Sequence, residues 1–200
     1  QRLAEEPMRR TLEALERCVA VCCEHSVEHV HAVGTSAIRD AQNRDEFLQR
    51  AAAIGLRIEV LSGDDEARLS ATAVRCDPIW AKVPCLAVID IGGGSTEVIC
   101  DGLNQPCDGV RVSLQLGAVR LTDTCIKSDP PSDKELSDAR RKSDEMLSAV
   151  TCPWPTGSGV AVGVGGTVVN LGAVCLASRN AANVSLHGME LAISDISGQI

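Results

Sequence analysis

An apolar run that ends in an acidic, glycine-rich octet constrains the fold more than any other feature of this sequence. Residues 85–89 predict a buried strand, and the octet at residues 90–97 reads DIGGGSTE. Three glycines allow the backbone to turn sharply and to approach a ligand without hindrance from a Cβ atom. Because residues 97–100 read as another strand and residues 110–116 alternate apolar with polar, the pattern predicts an antiparallel meander with a glycine-rich hairpin.

The octet carries groups that bind phosphate and magnesium. Successive N–H groups in such a turn form a concavity for anions. The carboxylates of Asp90 and Glu97 flank the turn, and Mg²⁺ binds through a few carboxylates together with substrate oxygens. A P-loop is excluded because no Gly-Lys-Ser/Thr tail follows and the next element is a strand. The octet therefore predicts phosphoryl chemistry.

Composition narrows the function classes. The chain has three aromatic residues and a net charge of −8. Base stacking is therefore nearly excluded, and no basic patch for DNA is present. The sequence contains no run of about 18 apolar residues, so we expect no membrane-spanning helix. Ten scattered cysteines without a C-x-x-C pair predict free thiols in a reducing cytoplasm.

Apolar periodicity predicts alternating helices and strands. The first half is expected to contain a helix over about the first 25 residues, a strand at 27–33, a helix at 37–53, a strand at 56–60 and a helix at 62–74. The second half is expected to contain the meander, a helix after the capping box of Ser132 and Glu135, a strand at 159–164 and a helix ending at 177. The two halves share a pattern of helix, strand, turn and helix, which predicts two related lobes facing a shared cleft.

Two further segments place anion-binding groups at helix starts. Residues 163–167, GVGGT, end a strand and open a helix, so the N–H groups and the helix dipole can hold an anion. Residues 34–39, GTSAIR, start a helix that carries Arg39, a bidentate partner for phosphate. Taken alone, each segment is also compatible with an ordinary helix start.

Three acids lie in the first turn of the helix that begins near residue 63. Such acids normally interact with the helix dipole. One of them could instead act as a general base for a water molecule that attacks a phosphoanhydride. Spacing does not choose among Asp64, Asp65 and Glu66.

Together these segments resemble the exopolyphosphatase and guanosine pentaphosphate phosphohydrolase family, Ppx/GppA. Their order and spacing are similar to the family pattern over nearly the whole chain. The segments that carry the resemblance are TSAIR at 35–39, IEVLSGDDEARL at 58–69, the octet, LGAVRL at 116–121, GGT at 165–167 and HG at 187–188.

The resemblance implies an α/β fold of the actin-like class (ASKHA, ribonuclease H-like) with two lobes and mixed sheets. Residues 1–80 would form the C-terminal part of lobe I, and residues 81–200 the N-terminal and central part of lobe II. The family's opening strand-turn of Asp-x-Gly-Ser-Asn-Ser type does not occur in this sequence. We therefore expect the fold to be truncated at both ends.

The resemblance also implies hydrolysis of terminal phosphate from inorganic polyphosphate or pppGpp by in-line attack of water. Glu66 would be the catalytic base and Arg39 would neutralise transition-state charge. Mg²⁺, with other divalent cations as alternatives, would be bound by Asp90, Glu97 and Glu66. The phosphate-binding residues would be Gly92, Gly93, Gly94, Ser95, Thr96, Gly165, Gly166 and Thr167.

Two other functions stay open. One is a non-catalytic sensor that binds polyphosphate or guanosine polyphosphates. The other is an ATPase or kinase of the wider actin-like superfamily, which would share the octet but not residues 63–69. The sequence does not separate polyphosphate from pppGpp as substrate. We expect a cytoplasmic protein with a phosphorylated substrate as its partner, without DNA or membrane binding, and we leave homodimerisation open.

Overall fold

A computed structural model describes residues 2–102, 110–150, 159–179 and 184–198. The chain forms two compact units, Gln1–Glu66 and Ala67–Ile200. Both units combine helices with strands, as the predicted α/β class requires. Among the described residues, none of the helices has the length and apolar character needed to cross a membrane.

The first unit packs helices on a small parallel sheet. Its elements are α1 (Glu5–Glu24), β1 (Ala32–Gly34), α2 (Ser36–Arg39), α3 (Arg44–Ala53), β2 (Ile58–Val60) and the first turn of α4 (Gly63–Cys76). Strands β1 and β2 pair in parallel. Met8 and Leu12 of α1 pack against Phe47 and Ala51 of α3, so the amphipathic face of α1 supplies one side of this core.

Two predicted elements of the first unit are wrong in extent. The strand predicted over 27–33 is limited to Ala32–Gly34. The helix predicted over 37–53 is divided into α2 and α3. Asn43 lies at this break, where its side chain accepts a hydrogen bond from Leu3 N at 2.8 Å and donates to Leu3 O at 3.1 Å. Gly55 adopts a φ of +86° just after α3, as is common for a glycine that terminates a helix.

The second unit is built on a four-stranded mixed sheet. After the remainder of α4 its elements are β3 (Cys85–Ile91), β4 (Thr96–Gly102), β5 (Arg111–Leu114), α5 (Ala118–Cys125), α6 (Asp133–Ser148), β6 (Val160–Val164), α7 (Gly166–Ser178) and α8 (Ile193–Ser197). The strand order is β5-β4-β3-β6. The β3–β4 and β4–β5 pairs are antiparallel, which confirms the meander, and β6 joins β3 in parallel.

The division between the units falls inside α4, after Glu66. Ala67 and Val74 of this helix are buried with Leu86, Val88 and Ile99 of the second unit. Because this part of α4 belongs to the core of the second unit, the contacts divide the chain before residue 80, where the first predicted segment ends. The assignment of residues 1–80 and 81–200 to parts of two lobes stays a prediction.

The cysteines differ in state among the described residues. Free thiols are found at Cys18, Cys22, Cys23, Cys76, Cys125 and Cys175. Cys100 is disulfide-bonded, so the expectation of free thiols is wrong at this position. Cys107 and Cys152 lie outside the described residues.

Candidate active site

The glycine-rich octet forms the predicted hairpin turn between β3 and β4. Gly92 N donates to Ser95 O at 3.0 Å, which closes the turn. Ser95 and Thr96 are buried, and the Thr96 hydroxyl donates to the carbonyl of Leu116. The turn is therefore tied at its end to the segment that leads into α5.

Asp90 and Glu97 occupy directly opposed positions across the hairpin. Side chains at such positions share one face of the sheet. The Ser70 hydroxyl donates to Asp90 Oδ2 at 2.6 Å, and the Ser113 hydroxyl donates to Glu97 Oε1 at 2.7 Å. Glu97 is only 1% exposed. The structure thus brings two carboxylates together and orients each with a serine.

The start of α7 reaches the same carboxylate. Gly165 has a φ of +88°, and a Cβ atom there would lie 2.6 Å from Asp90 Oδ1 and 2.8 Å from Ile91 O. Gly166 and Thr167 are the first residues of α7, so the positive end of this helix dipole lies near Asp90. The predicted phosphate-binding residues around 92–96 and 165–167 therefore border one carboxylate of the second unit.

The predicted residues of the first unit meet in an ion pair. Arg39 Nη1 donates to Glu66 Oε2 at 3.0 Å and to the carbonyl of Leu61 at 3.0 Å. The Arg39 and Glu66 side chains are 18% and 16% exposed. The two hydrogen bonds hold the Arg39 side chain in place, and both side chains keep part of their surface in contact with solvent.

The structure distinguishes the three acids at the start of α4. Ser62 Oγ accepts a hydrogen bond from Asp65 N at 3.1 Å and donates to Asp65 Oδ2 at 2.7 Å. Asp65 therefore takes part in the N-terminal cap of the helix. Asp64 is exposed, whereas Glu66 is half-buried against Arg39. The arrangement of one shared cleft between the lobes stays a prediction.

A cavity of about 280 Å³ lies beside α4 in the second unit, and none of these residues lines it. Arg68, Arg75 and Arg111 are among its lining residues, together with Asp101. Arg75 donates to Asp101 and to the carbonyls of Trp80 and Val83. These bonds give Arg75 a structural role in joining α4 to the sheet and to the turn before β3.

Several residues that support the candidate site were not predicted from the sequence. Ser70 and Ser113 had no motif to mark them, although Ser113 belongs to the alternating polar positions of the meander. Residues 116–121 stood out only by resemblance. Within them, a Cβ atom at Gly117 would lie 2.4 Å from Gly93 O, so only glycine allows this close approach to the turn.

His187 and Gly188, which also stood out by resemblance, contact the turn before β3. His187 Nε2 lies 2.9 Å from Asp77 Oδ2, and its ring packs edge-on against Trp80. Gly188 has a φ of +73°. These contacts give the segment a packing role within the second unit.

The sequence profile of the Ppx/GppA phosphatase family matches residues 1–197. The chain belongs to this family. The Ppx/GppA resemblance of its motifs is thereby confirmed.

This Ppx/GppA protein is similar to curated exopolyphosphatases. It is 36% identical over 180 residues to exopolyphosphatase 2 of Mycobacterium tuberculosis. The matched region covers 86% of the chain and 55% of that protein. It is 40% identical over 118 residues to exopolyphosphatase 1 of Mycobacterium leprae, and the matched region covers 58% of the chain and 34% of that protein. The chain thus spans about half the length of the first of these relatives.

Solved structures of the Ppx/GppA family show the same fold. An Aquifex aeolicus family member matches with a TM-score of 0.72 and 32% identity, covering 99% of the chain and 62% of that protein. An exopolyphosphatase from Cytophaga hutchinsonii matches with a TM-score of 0.80 and 26% identity, covering 99% of the chain and 64% of that protein. The expected actin-like α/β fold with a mixed sheet is confirmed.

Proposed function

We propose that this Ppx/GppA protein is a phosphoanhydride hydrolase that releases terminal phosphate from inorganic polyphosphate. The observation that carries the proposal is the position of Asp90 and Glu97 across a glycine-rich turn, with the start of α7 beside Asp90. The names of the curated exopolyphosphatase relatives support polyphosphate as the substrate class.

The phosphate groups would be bound by two backbone elements of the second unit. The turn at residues 92–96 offers a glycine-rich concavity, and the first turn of α7 at residues 165–167 offers N–H groups and a helix dipole. Both elements recognise phosphate oxygens without reading a base or sugar. This suits a polymer whose repeating unit is phosphate alone.

Asp90 and Glu97 fit a magnesium ion. Their oxygens are hard anionic ligands on one face of the sheet, and each is oriented by a serine hydroxyl. Among the described residues no cluster of three or more His, Cys, Asp or Glu side chains could hold a metal, so the remaining ligands would be phosphate oxygens and water. Bound Mg²⁺ would neutralise charge on the phosphate oxygens.

Glu66 is our candidate for the general base. One of its carboxylate oxygens accepts from Arg39, which leaves the other to take a proton from the attacking water. Arg39 would hold the base in position and contribute positive charge as negative charge develops on the transferred phosphoryl group. The additional role of Glu66 as a metal ligand stays a prediction.

The test compares turnover and binding on the same preparations. Phosphate release is measured with inorganic polyphosphate and with pppGpp in the presence of Mg²⁺, and binding of each ligand is measured by calorimetry. We expect a higher kcat/KM for polyphosphate. A higher kcat/KM for pppGpp would assign the guanosine substrate instead. Tight binding without phosphate release would contradict hydrolysis and favour the non-catalytic sensor.

A further inference from the structure

Three successive carbonyls of the glycine-rich turn are bonded by the first turn of α5. Ala118 N donates to Gly92 O at 3.0 Å, and Arg120 N donates to Gly93 O at 3.0 Å. The side-chain Nε of Arg120 donates to Gly94 O at 2.6 Å. The backbone of α5 thus supplies two of these bonds, and a single side chain supplies the third.

The backbone of the turn and that of the α5 start are in direct contact. A Cβ atom at Gly117 would lie 2.4 Å from Gly93 O and 2.6 Å from Gly94 N. A Cβ atom at Gly93 would lie 3.2 Å from the Val119 side chain. This contact restricts a segment of three glycines that would otherwise sample many backbone conformations.

We infer that Arg120 is a positioning residue for the phosphate-binding turn, an inference that rests on the proposed function. A carbonyl oxygen directed at a phosphate would repel it, whereas a carbonyl bonded to α5 is held toward that helix. Arg120 holds the last of the three carbonyls and so completes the orientation of the turn. A turn ordered before binding pays less conformational entropy when the anion arrives.

Two substitutions separate this role from direct attraction by charge. Arg120→Gln removes the charge but places Nε2 at the same point of the side chain as the arginine Nε. Arg120→Met has a similar shape and places a methyl carbon there, with no donor. Arg120→Lys keeps the charge but places a methylene there. Arg141→Gln is the control, because Arg141 is exposed on α6 and pairs with Asp138 and Glu145.

Two readouts are measured on the full chain. The first is hydrogen–deuterium exchange over residues 92–96 without ligand. The second is the Kd of inorganic tripolyphosphate by calorimetry. We expect Arg120→Met and Arg120→Lys to speed exchange and to raise Kd by about fivefold, the loss expected when one hydrogen bond is removed. Arg120→Gln should remain within about twofold of the parent on both readouts, because its side chain keeps a donor for the Gly94 carbonyl. Arg141→Gln should also remain within about twofold, because this substitution leaves the turn and its hydrogen bonds intact.

The outcomes distinguish the positioning role from the proposed function. If Arg120→Gln and Arg120→Met weaken tripolyphosphate binding equally while Arg120→Lys keeps the Kd of the parent, the charge acts directly. That result would overturn the positioning role. Unchanged exchange over residues 92–96 in Arg120→Met would also overturn it. A parent chain that shows the expected exchange pattern but binds no tripolyphosphate would support the orientation of the turn and contradict the proposed function alone.

Discussion

Arg39 donates to Glu66 at 3.0 Å, although the two residues are 27 positions apart in the sequence. The pair joins α2 to α4 and is largely shielded from solvent. Arg39→Gln should lower kcat for phosphate release by about tenfold to a hundredfold, because the proposed base, Glu66, would lose a charged hydrogen-bond partner. Steady-state kinetics with polyphosphate measure this effect. Arg44→Gln, at an exposed arginine of α3, should leave kcat unchanged; a change in KM alone for Arg39→Gln would contradict the assigned role.

Gly165 is predicted to be irreplaceable because its position has both a positive φ and no room for a Cβ atom. Gly55→Ala tests the backbone alone, since Gly55 has a φ of +86° with open space around it, and should cost about 1 kcal/mol. Gly165→Ala should cost at least about twice that, because the Cβ atom would meet the Asp90 carboxylate and Ile91 O. Urea denaturation measures both. Gly166→Ala, with open space and no positive φ, is the control, and equal costs at 55 and 165 would argue against the close contact.

Asp90 and Glu97 should determine metal affinity. Changes to groups that merely support metal ligands already lower affinity by about tenfold or more, so Asp90→Asn and Glu97→Gln are each expected to exceed that loss. Mn²⁺ titration followed by electron paramagnetic resonance provides the measurement without relying on turnover. Asp123→Asn, an exposed acid of α5, is the control. Chelation of divalent cations should also abolish phosphate release; unaltered Mn²⁺ affinity in both variants would exclude this pair as ligands.

Glu135 should make the stability of the chain depend on acid pH. The hydroxyl of Ser128 and the backbone and hydroxyl of Ser132, with Lys127 N, hold the pKa of the Glu135 carboxyl far below its usual value of 4.5. A depressed folded-state pKa contributes stability above pH 4.5, and this is lost progressively as pH falls below that value. The stability difference between the parent and Glu135→Gln should therefore shrink between about pH 6 and about pH 3.

Urea denaturation at both pH values checks this dependence. Glu145→Gln, at an exposed position of the same helix, controls for general effects of removing a carboxylate. A difference between parent and Glu135→Gln that is the same at both pH values would contradict the prediction.

Features with a local cause were predicted well from the sequence. The capping box of Ser132 and Glu135 is present at the start of α6, because its hydrogen bonds involve residues three positions apart. The hairpin at the octet and the meander also form as predicted. In these cases glycine conformation and alternating polarity act within a few residues, so no distant contact is needed to specify the structure.

Features that depend on distant contacts were missed. The break between α2 and α3 involves Asn43, whose side chain binds the backbone of Leu3 forty positions away. Helix α5 has only eight residues, too few to be stable without tertiary packing. Ser70 of α4 donates to Asp90 of β3. A contact between two such elements produces no periodic pattern in the sequence, so the sequence did not predict it.

Glu66 is the proposed base of polyphosphate hydrolysis, and substitutions at Glu66 and Asp64 test this role. Phosphate release from inorganic polyphosphate is measured for the parent, Glu66→Gln and Asp64→Asn, with folding of each verified by circular dichroism. The two substituted acids lie in the same helical turn, but Asp64 is exposed and Glu66 pairs with Arg39. We predict that Glu66→Gln lowers kcat by about 10²–10⁴-fold, while Asp64→Asn stays within about twofold of the parent. Turnover by folded Glu66→Gln near the parent rate would show that Glu66 is not the base.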